Sequence, residues 1–407
     1  MSLLDVIADV GGWEGYRVAG SRLVELSAGR RVEIELTPIA TKDLVCDGCG
    51  GVTDRVHETT RRIVRDLPVL DAQTWLIVHR RRLLCPRCGP CLERLSWLER
   101  YSRVTRRLAD SVARICGVLT VKHVAAFFHL SWDQVKQIDK AALQRRVGTV
   151  ELASVEVIGM DEFALHKGHR YATVVVEPYR KEVLWVGVGR SRDSVRPFFE
   201  RLGSEGCKRL KAVVMDMNAA FEQEVKRHAP QAAIVYDLFH VVAKFGREVI
   251  DRVRVDEANR LRHDKRARKV IKTARWLLLR NGQDLGEGDS LRLKELLAAN
   301  QNLMTVYVLK DDLKRLWRFS CIEQAAAFWE QWFGRAMESG IAPLMLFARR
   351  MSGYLQGILN HCLWPLHTGL LEGINNRIKV IKRMAYGFRD HEYFFLKIRA
   401  AFPGNPG

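Results

Sequence analysis

Four cysteines constrain the fold of this chain more than any other feature. Cys46-Asp-Gly-Cys49 and Cys85-Pro-Arg-Cys88 stand 35 residues apart. A C-x-x-C knuckle puts two thiolates on one side of a tight turn, and two knuckles close one tetrahedral Zn²⁺ site. Gly48, Gly50 and Gly89 suit those turns. Four protein thiolates leave no open position, so the zinc is expected to hold structure and not to catalyse. Cys91 follows closely and offers an alternative to Cys88 as fourth ligand. With nine cysteines, an odd number, the chain does not suggest a disulfide framework. His57 falls between the knuckles and reads as an ordinary surface residue.

Charge names the class of partner. The net charge is +19 over 407 residues, and the basic residues are clustered. Such an excess favours a polyanion, most often nucleic acid. HRRRLLCPRC (79–88) carries basic residues into the second knuckle, so the ribbon is expected to touch DNA. No apolar run reaches the roughly 18 residues of a membrane span. The first residues, MSLLDVIADVGGWEG, place acids where an export signal needs bases. The expected location is the cytoplasm, with no membrane partner.

The length implies two to four domains. Residues 1–40 form a strand-rich N-terminal segment, in which RVEIELTPIA alternates like a strand. Residues 41–98 form the ribbon. Residues 99–150 are helical, and TVKHVAAFFHLSWDQVKQIDKAAL (120–143) predicts two short helices around a turn at 129–131. Ser131 and Gln134 form an S-x-x-Q capping box at the start of the second helix. That helix is the one expected in a major groove, with Ser131, Trp132 and Gln134 at the DNA.

Beyond 150 the pattern changes. SVEVIGMDEF, YATVVVEPY and EVLWVGVG are three β-branched runs joined by short polar turns. Helix, strand, helix and strand follow, and residues 241–360 carry no strand pattern. A closing basic helix spans 366–400. The order β-β-β-α-β-α-β, a helical stretch and a last helix predicts a multidomain α/β protein. Its core is a ribonuclease-H-like mixed sheet (151–245 and 361–400) with a helical insertion (246–360).

That order selects three carboxylates. Asp161 ends the first strand and Asp216 the fourth, and these strands are adjacent in such a sheet. Glu372 opens the closing helix that packs on them. Clustered carboxylates stay ionised only beside cations, and hard oxygens select Mg²⁺ or Mn²⁺. Glu162, next to Asp161, points to the opposite face and is discounted. Arg377, Lys379, Lys382 and Arg383 follow Glu372 and are expected to hold phosphates. The basic run 258–275 is expected to hold flanking DNA, or to be only a solvated helix face.

GMDEFALHKGHRYATVV, VVMDMNAAF, YDLFHVV, RWLLLRN and LLEGINNRIKVIKRMAYGFRDHEYF together resemble the ISL-three family of insertion-sequence transposases, over roughly residues 40–400. The resemblance implies a zinc ribbon, a helix-turn-helix and a DDE catalytic domain that binds terminal inverted repeats, cuts DNA and transfers the strand. It places the catalytic triad on Asp161, Asp216 and Glu372. Asp237 and His240 match a D-x-x-H motif near the active site of related transposases. Trp276, with Arg280 and Asn281 beside it, is by analogy a stacking residue for a displaced base, or else a core tryptophan. Synapsis of two ends implies a homodimer or larger. The rivals are a catalytically inactive DNA-binding regulator and a structure-specific nuclease on the same fold.

Overall fold

The chain divides after Gly148 into two units. A computed structural model describes residues 10–405 except 28, 41, 42, 149, 167, 169, 281, 367 and 368.

In the first unit β1 (Tyr16–Leu26) and β2 (Gly29–Pro38) form a hairpin, and β3 (Leu44–Val45) and β4 (Val52–Thr53) form a small ribbon. Two strands of 14 residues follow, β5 (Val56–Val69) and β6 (Ala72–Cys85). Along one edge β6 pairs in parallel with β2 and then antiparallel with β7 (Gly89–Leu92); along the other it pairs antiparallel with β5. Residues 1–40, expected as a separate segment, thus supply two strands of the sheet that carries the second knuckle. Alternate residues of β6, from Ala72 through Thr74, Leu76 and Val78, turn inward, as a period of two requires. Leu76 and Val78 share one core with Trp13, Tyr16, Leu36 and Trp97.

Three helices follow: α1 (Arg106–Ile115), α2 (Val121–Phe128) and α3 (Trp132–Val147), N-capped by Thr105, Thr120 and Ser131. His129 ends α2 with φ +50°, in the left-handed conformation that turns the chain into α3. Val124, Phe128 and Val135 are buried across that turn, with Val121, Ala125 and Ile138 packed around them. Ribbon and helices, read from sequence as separate domains, are tied together by two residues of β5. Buried Asp66 accepts from Trp13 Nε1 (3.0 Å), Thr105 Oγ1 (2.6 Å) and the Arg107 guanidinium. Arg65 donates to the carbonyls of Phe128 and His129 (3.1 Å each).

The second unit is a mixed sheet. β8 (Val157–His166), β9 (Arg170–Glu177) and β10 (Glu182–Val188) form an antiparallel meander. Then come α4 (Arg192–Arg209), β11 (Ala212–Met215), α5 (Ala219–His228) and β12 (Ala233–Tyr236). The strand order is β10-β9-β8-β11-β12, with β11 parallel to both neighbours. α6 (Leu238–Phe245) runs through a π-helical stretch, Gly246–Ile250, into α7 (Asp251–Arg260). The helical region continues with α8 (Lys265–Thr273), α9 (Arg275–Leu279), α10 (Glu287–Ala299), α11 (Gln301–Arg315), α12 (Ile322–Glu338), α13 (Ala342–Ser352) and α14 (Leu355–Leu359). Two helices close the chain, α15 (Gly369–Met384) and α16 (His391–Ala401).

The two faces of this sheet have different covers. Ile158, Met160, Val213 and Met215 pack on Phe198 and Phe221 of α4 and α5 and share a core with the helical region. Phe163, Leu165, Val174 and Val176 pack on Leu371, Ile374 and Ile378 of α15 and on Phe394 and Ile398 of α16. Gly159 seats α15: a Cβ there would lie 3.1 Å from a Leu371 methyl and 3.0 Å from Val176. No described helix is long and apolar enough to cross a membrane.

Candidate active site and metal centre

The first knuckle turns between β3 and β4, and the second between β6 and β7, where Cys85 pairs with Gly89. The sulphurs of Cys46, Cys49, Cys85 and Cys88 lie within 4.8 Å of one another. Gly50 and Gly89 take positive φ, +76° and +67°, which only glycine adopts freely. Cys91 does not stand apart. Its buried sulphur is 2.9 Å from Cys46 Sγ, so five thiols share the pocket and the sequence alternative between Cys88 and Cys91 is a real adjacency. The Cys91 sulphur and the amides of Cys49 and Gly48 hold the Cys46 thiol down at about 6. Cys88 is pushed up to about 12, first by the Cys49 sulphur. Four sulphurs within ligand distance of one another fit a tetrahedral Zn²⁺ site.

In the second unit Ala212–Met215 of β11 lies in register on Val157–Met160 of β8, and an aspartate follows each matched stretch: Asp216 just past the end of β11, and Asp161 in mid-strand rather than at the expected strand end, because β8 runs on to His166 against β9. Alternation puts both on the α15 face, with Gly159 and Phe163. Asp161 Oδ1 accepts the Glu162 amide (2.7 Å), and Oδ2 accepts Asn375 Nδ2 of α15 (2.5 Å). Burial first pushes the Asp161 carboxyl up to about 6; Asp216 and Glu162 push the same way, while the Glu162 amide and His240 oppose them. Asp216 is raised too, again chiefly by burial. Its Oδ1 is buried with no partner.

Asp237 caps α6 by accepting Phe239 N–H (2.7 Å), and its own N–H reaches the Met215 carbonyl (3.2 Å). One turn on, His240 lies 4.0 Å from Asp216 and 3.7 Å from Asp237. The D-x-x-H pair thus joins the aspartates. Glu162 points to the other face, as strand alternation requires, and takes Arg190 (2.7 Å) and Asn218 (3.2 Å).

Glu372 is exposed in the first turn of α15, one turn before Asn375. The three carboxylates do not converge to metal-holding distance; among the described residues only the cysteines do. The residue that does reach Asp161 is Asn375, which the sequence reading passed over. Its only signal was spacing, since it lies three residues after Glu372 on one helix face.

The basic residues divide. Lys382 donates to the Ala164 carbonyl (2.7 Å) and Lys379 to Asn376 (3.2 Å), while Arg377 and Arg383 are exposed. In α3, Ser131 and Gln134 form the capping box with each other, and Trp132 is 49% exposed with Lys136 over its ring. Trp276 is 67% exposed, which rules out the core reading. Neither Trp276 nor Arg280 makes a described contact with the aspartates; Arg280 faces Asp289 at 3.8 Å. Asn281 lies outside the described residues.

A sulphur-bound ribbon welded to a helix-turn-helix, followed by an acidic mixed sheet, defines a DNA-processing protein with its reader and its chemistry in separate units. The family models match in the same order. A zinc finger of the transposases of IS204, IS1001, IS1096 and IS1165 matches residues 44–88, and the helix-turn-helix domain of transposase family ISL3 matches 93–143. The transposase domain of that family matches 158–398, more than half of the chain. The chain is 55% identical over 401 residues to the transposase for insertion sequence element IS1001 of Bordetella parapertussis, covering 98% of both. It is 27% identical over 335 residues to the transposase for IS1557 of Mycobacterium tuberculosis, covering 76% of this chain and 74% of that one. The chain belongs to the ISL3 family of transposases, and it is a DNA transposase.

Proposed function

We propose that the mixed sheet is a ribonuclease-H-like DDE core in which Asp161, Asp216 and Glu372 hold Mg²⁺ or Mn²⁺. The observation that supports this most is the parallel register of β8 and β11, which sets the two aspartates side by side beneath α15. The donors suit a hard divalent ion: two carboxylates raised by burial, and one buried oxygen, Asp216 Oδ1, with no partner. When bound, such ions activate a water or a 3′-hydroxyl and stabilise the leaving oxygen of an in-line phosphoryl transfer. Asp161 and Asp216 then serve as fixed ligands. Glu372, in the first turn of α15, would be the third ligand. His240 stands beside them, 4.0 Å from Asp216 and 3.7 Å from Asp237.

The substrate is double-stranded DNA: the terminal inverted repeats of the element, then a target. The ribbon and α3 read the ends. Arg377 and Arg383 hold phosphates beside the carboxylates. Arg262, Lys265, Arg266, Lys269 and Lys272 are exposed, with Ile271 turned inward, and present a basic face to flanking DNA. Trp276 projects from the same region and stacks on an unpaired base. Two protomers hold two ends, in the cytoplasm on the nucleoid.

The test is labelled DNA carrying the element's ends, incubated with the protein and Mg²⁺ or Mn²⁺ beside Asp216→Ala. Cutting at the element boundary, metal-dependent and absent in the variant, is expected. Tight binding without cutting under every metal condition would favour the regulator.

A further inference from the structure

The closing helix brings one polar side chain into the carboxylate pair, and it is an amide. Resting on the active-site reading above, we propose that Asn375 is a positioning residue of the catalytic centre: it fixes the Asp161 carboxylate in the orientation a divalent ion takes.

Asp161 has each oxygen held from a different element. Oδ1 accepts the Glu162 amide of its own strand (2.7 Å) and Oδ2 accepts Asn375 Nδ2 (2.5 Å). Two donors in two directions stop rotation of the carboxylate about its last bond. Each oxygen keeps a lone pair, so the group is held without being consumed. An ionised carboxylate only accepts, so the amide must turn its NH₂ toward Asp161. That choice leaves Asn375 Oδ1 buried without a donor. Asp216 Oδ1 is a second buried oxygen without a donor. Buried oxygens without donors are rare in native structures and mark a place where a ligand or water completes the set. Here both belong to side chains grouped around one carboxylate pair.

The backbone explains why Asn375 is the residue in reach. Ile374 and Ile378 are buried against the sheet and fix the rotation of α15. Gly159 allows Leu371 to approach β8 closely. These contacts leave Asn375 half-buried, over the middle of β8, and Glu372 one turn earlier exposed. Asn375 therefore sets the distance between the helix that carries Glu372 and the strand that carries Asp161. A preorganised ligand binds its ion more tightly because less freedom is lost on binding.

The experiment titrates Mn²⁺ into the full-length protein, zinc in place, and follows free Mn²⁺ by electron paramagnetic resonance. Asn375→Leu keeps the volume and loses the donor, and Asn375→Ala loses both; Asp216→Ala serves as reference. The expected result is an Mn²⁺ affinity weakened about tenfold in both Asn375 variants, with affinity for end DNA within about twofold of the parent. Cleavage should shift to higher Mn²⁺ by a similar factor. Parental Mn²⁺ affinity in both variants, while Asp216→Ala abolishes binding, would overturn the role of Asn375 and leave the carboxylate site standing. Retained Mn²⁺ binding in Asp216→Ala would remove the site itself, and this proposal with it.

Discussion

The two candidate metal centres of this protein are built in opposite ways. The cysteine cluster is local: each pair comes from one knuckle, and the hairpins that make the turns also set the sulphur distances. The carboxylate site is assembled from the middle of β8, the residue just past β11 and a helix more than 150 residues downstream. The four sulphurs lie within ligand distance of one another, whereas Glu372 stands exposed in the first turn of α15. Thiols can pack against one another as small hydrophobes. Carboxylates at close range repel, and burial penalises their charge.

That contrast can be broken from either side. The largest effect is expected from Asp161→Ala. Strand cleavage should fall by roughly four orders of magnitude, the scale on which single catalytic residues act. End affinity, measured by gel shift, should stay within about twofold. Cleavage near the normal rate would remove Asp161 from the chemistry.

Cys46→Ser/Cys85→Ser should show the reverse pattern. Structural zinc sites contribute roughly 10 kcal/mol or more to folding, so the ribbon unfolds locally. Because Asp66 and Arg65 weld β5 to the helix-turn-helix, the reading helix loses its support as well. End affinity should drop by about tenfold or more. Full affinity in the double variant would show that α3 reads the ends alone. Within the pocket, zinc content of Cys88→Ser against Cys91→Ser decides the fourth ligand; Cys88→Ser is expected to lose the ion more readily.

The third effect is a dependence on pH. The Asp161 carboxyl is raised to about 6 in the folded protein, above its ordinary value near 4. The folded state therefore holds the proton more tightly than the unfolded one. That stabilisation is complete below about pH 4 and is lost as pH rises through 6. Without divalent ions, Asp161→Asn should raise thermal stability at pH 7, by on the order of 2 kcal/mol at most. Mn²⁺ must displace the same proton, so its affinity should fall about tenfold per unit below pH 6. A flat profile from pH 5 to 7 would contradict the burial argument.

The smallest effect belongs to the reader. Ser131→Ala removes one half of the capping box and should cost about 1 kcal/mol of stability, seen as a shift of a few degrees in melting. Loss of end binding far beyond that scale would give Ser131 a direct contact with DNA.

Much of this molecule is determined by sequence over short distances. The knuckles follow from spacing and glycine, the capping box from Ser131 and Gln134, and the meander from three alternating runs. These depend on local sterics, hydrogen bonds between near neighbours and hydrophobic period. The strand order also followed, because few connections are allowed, and it correctly set β8 beside β11. Tertiary structure alone decided the rest. It joined residues 1–40 to the ribbon sheet, put Asp66 between sheet and helices, turned Trp276 outward, and chose Asn375 over Glu372 as the partner of Asp161. Each of these depends on the packing of apolar faces distant in sequence, and no short stretch of the chain contains both halves of such a contact.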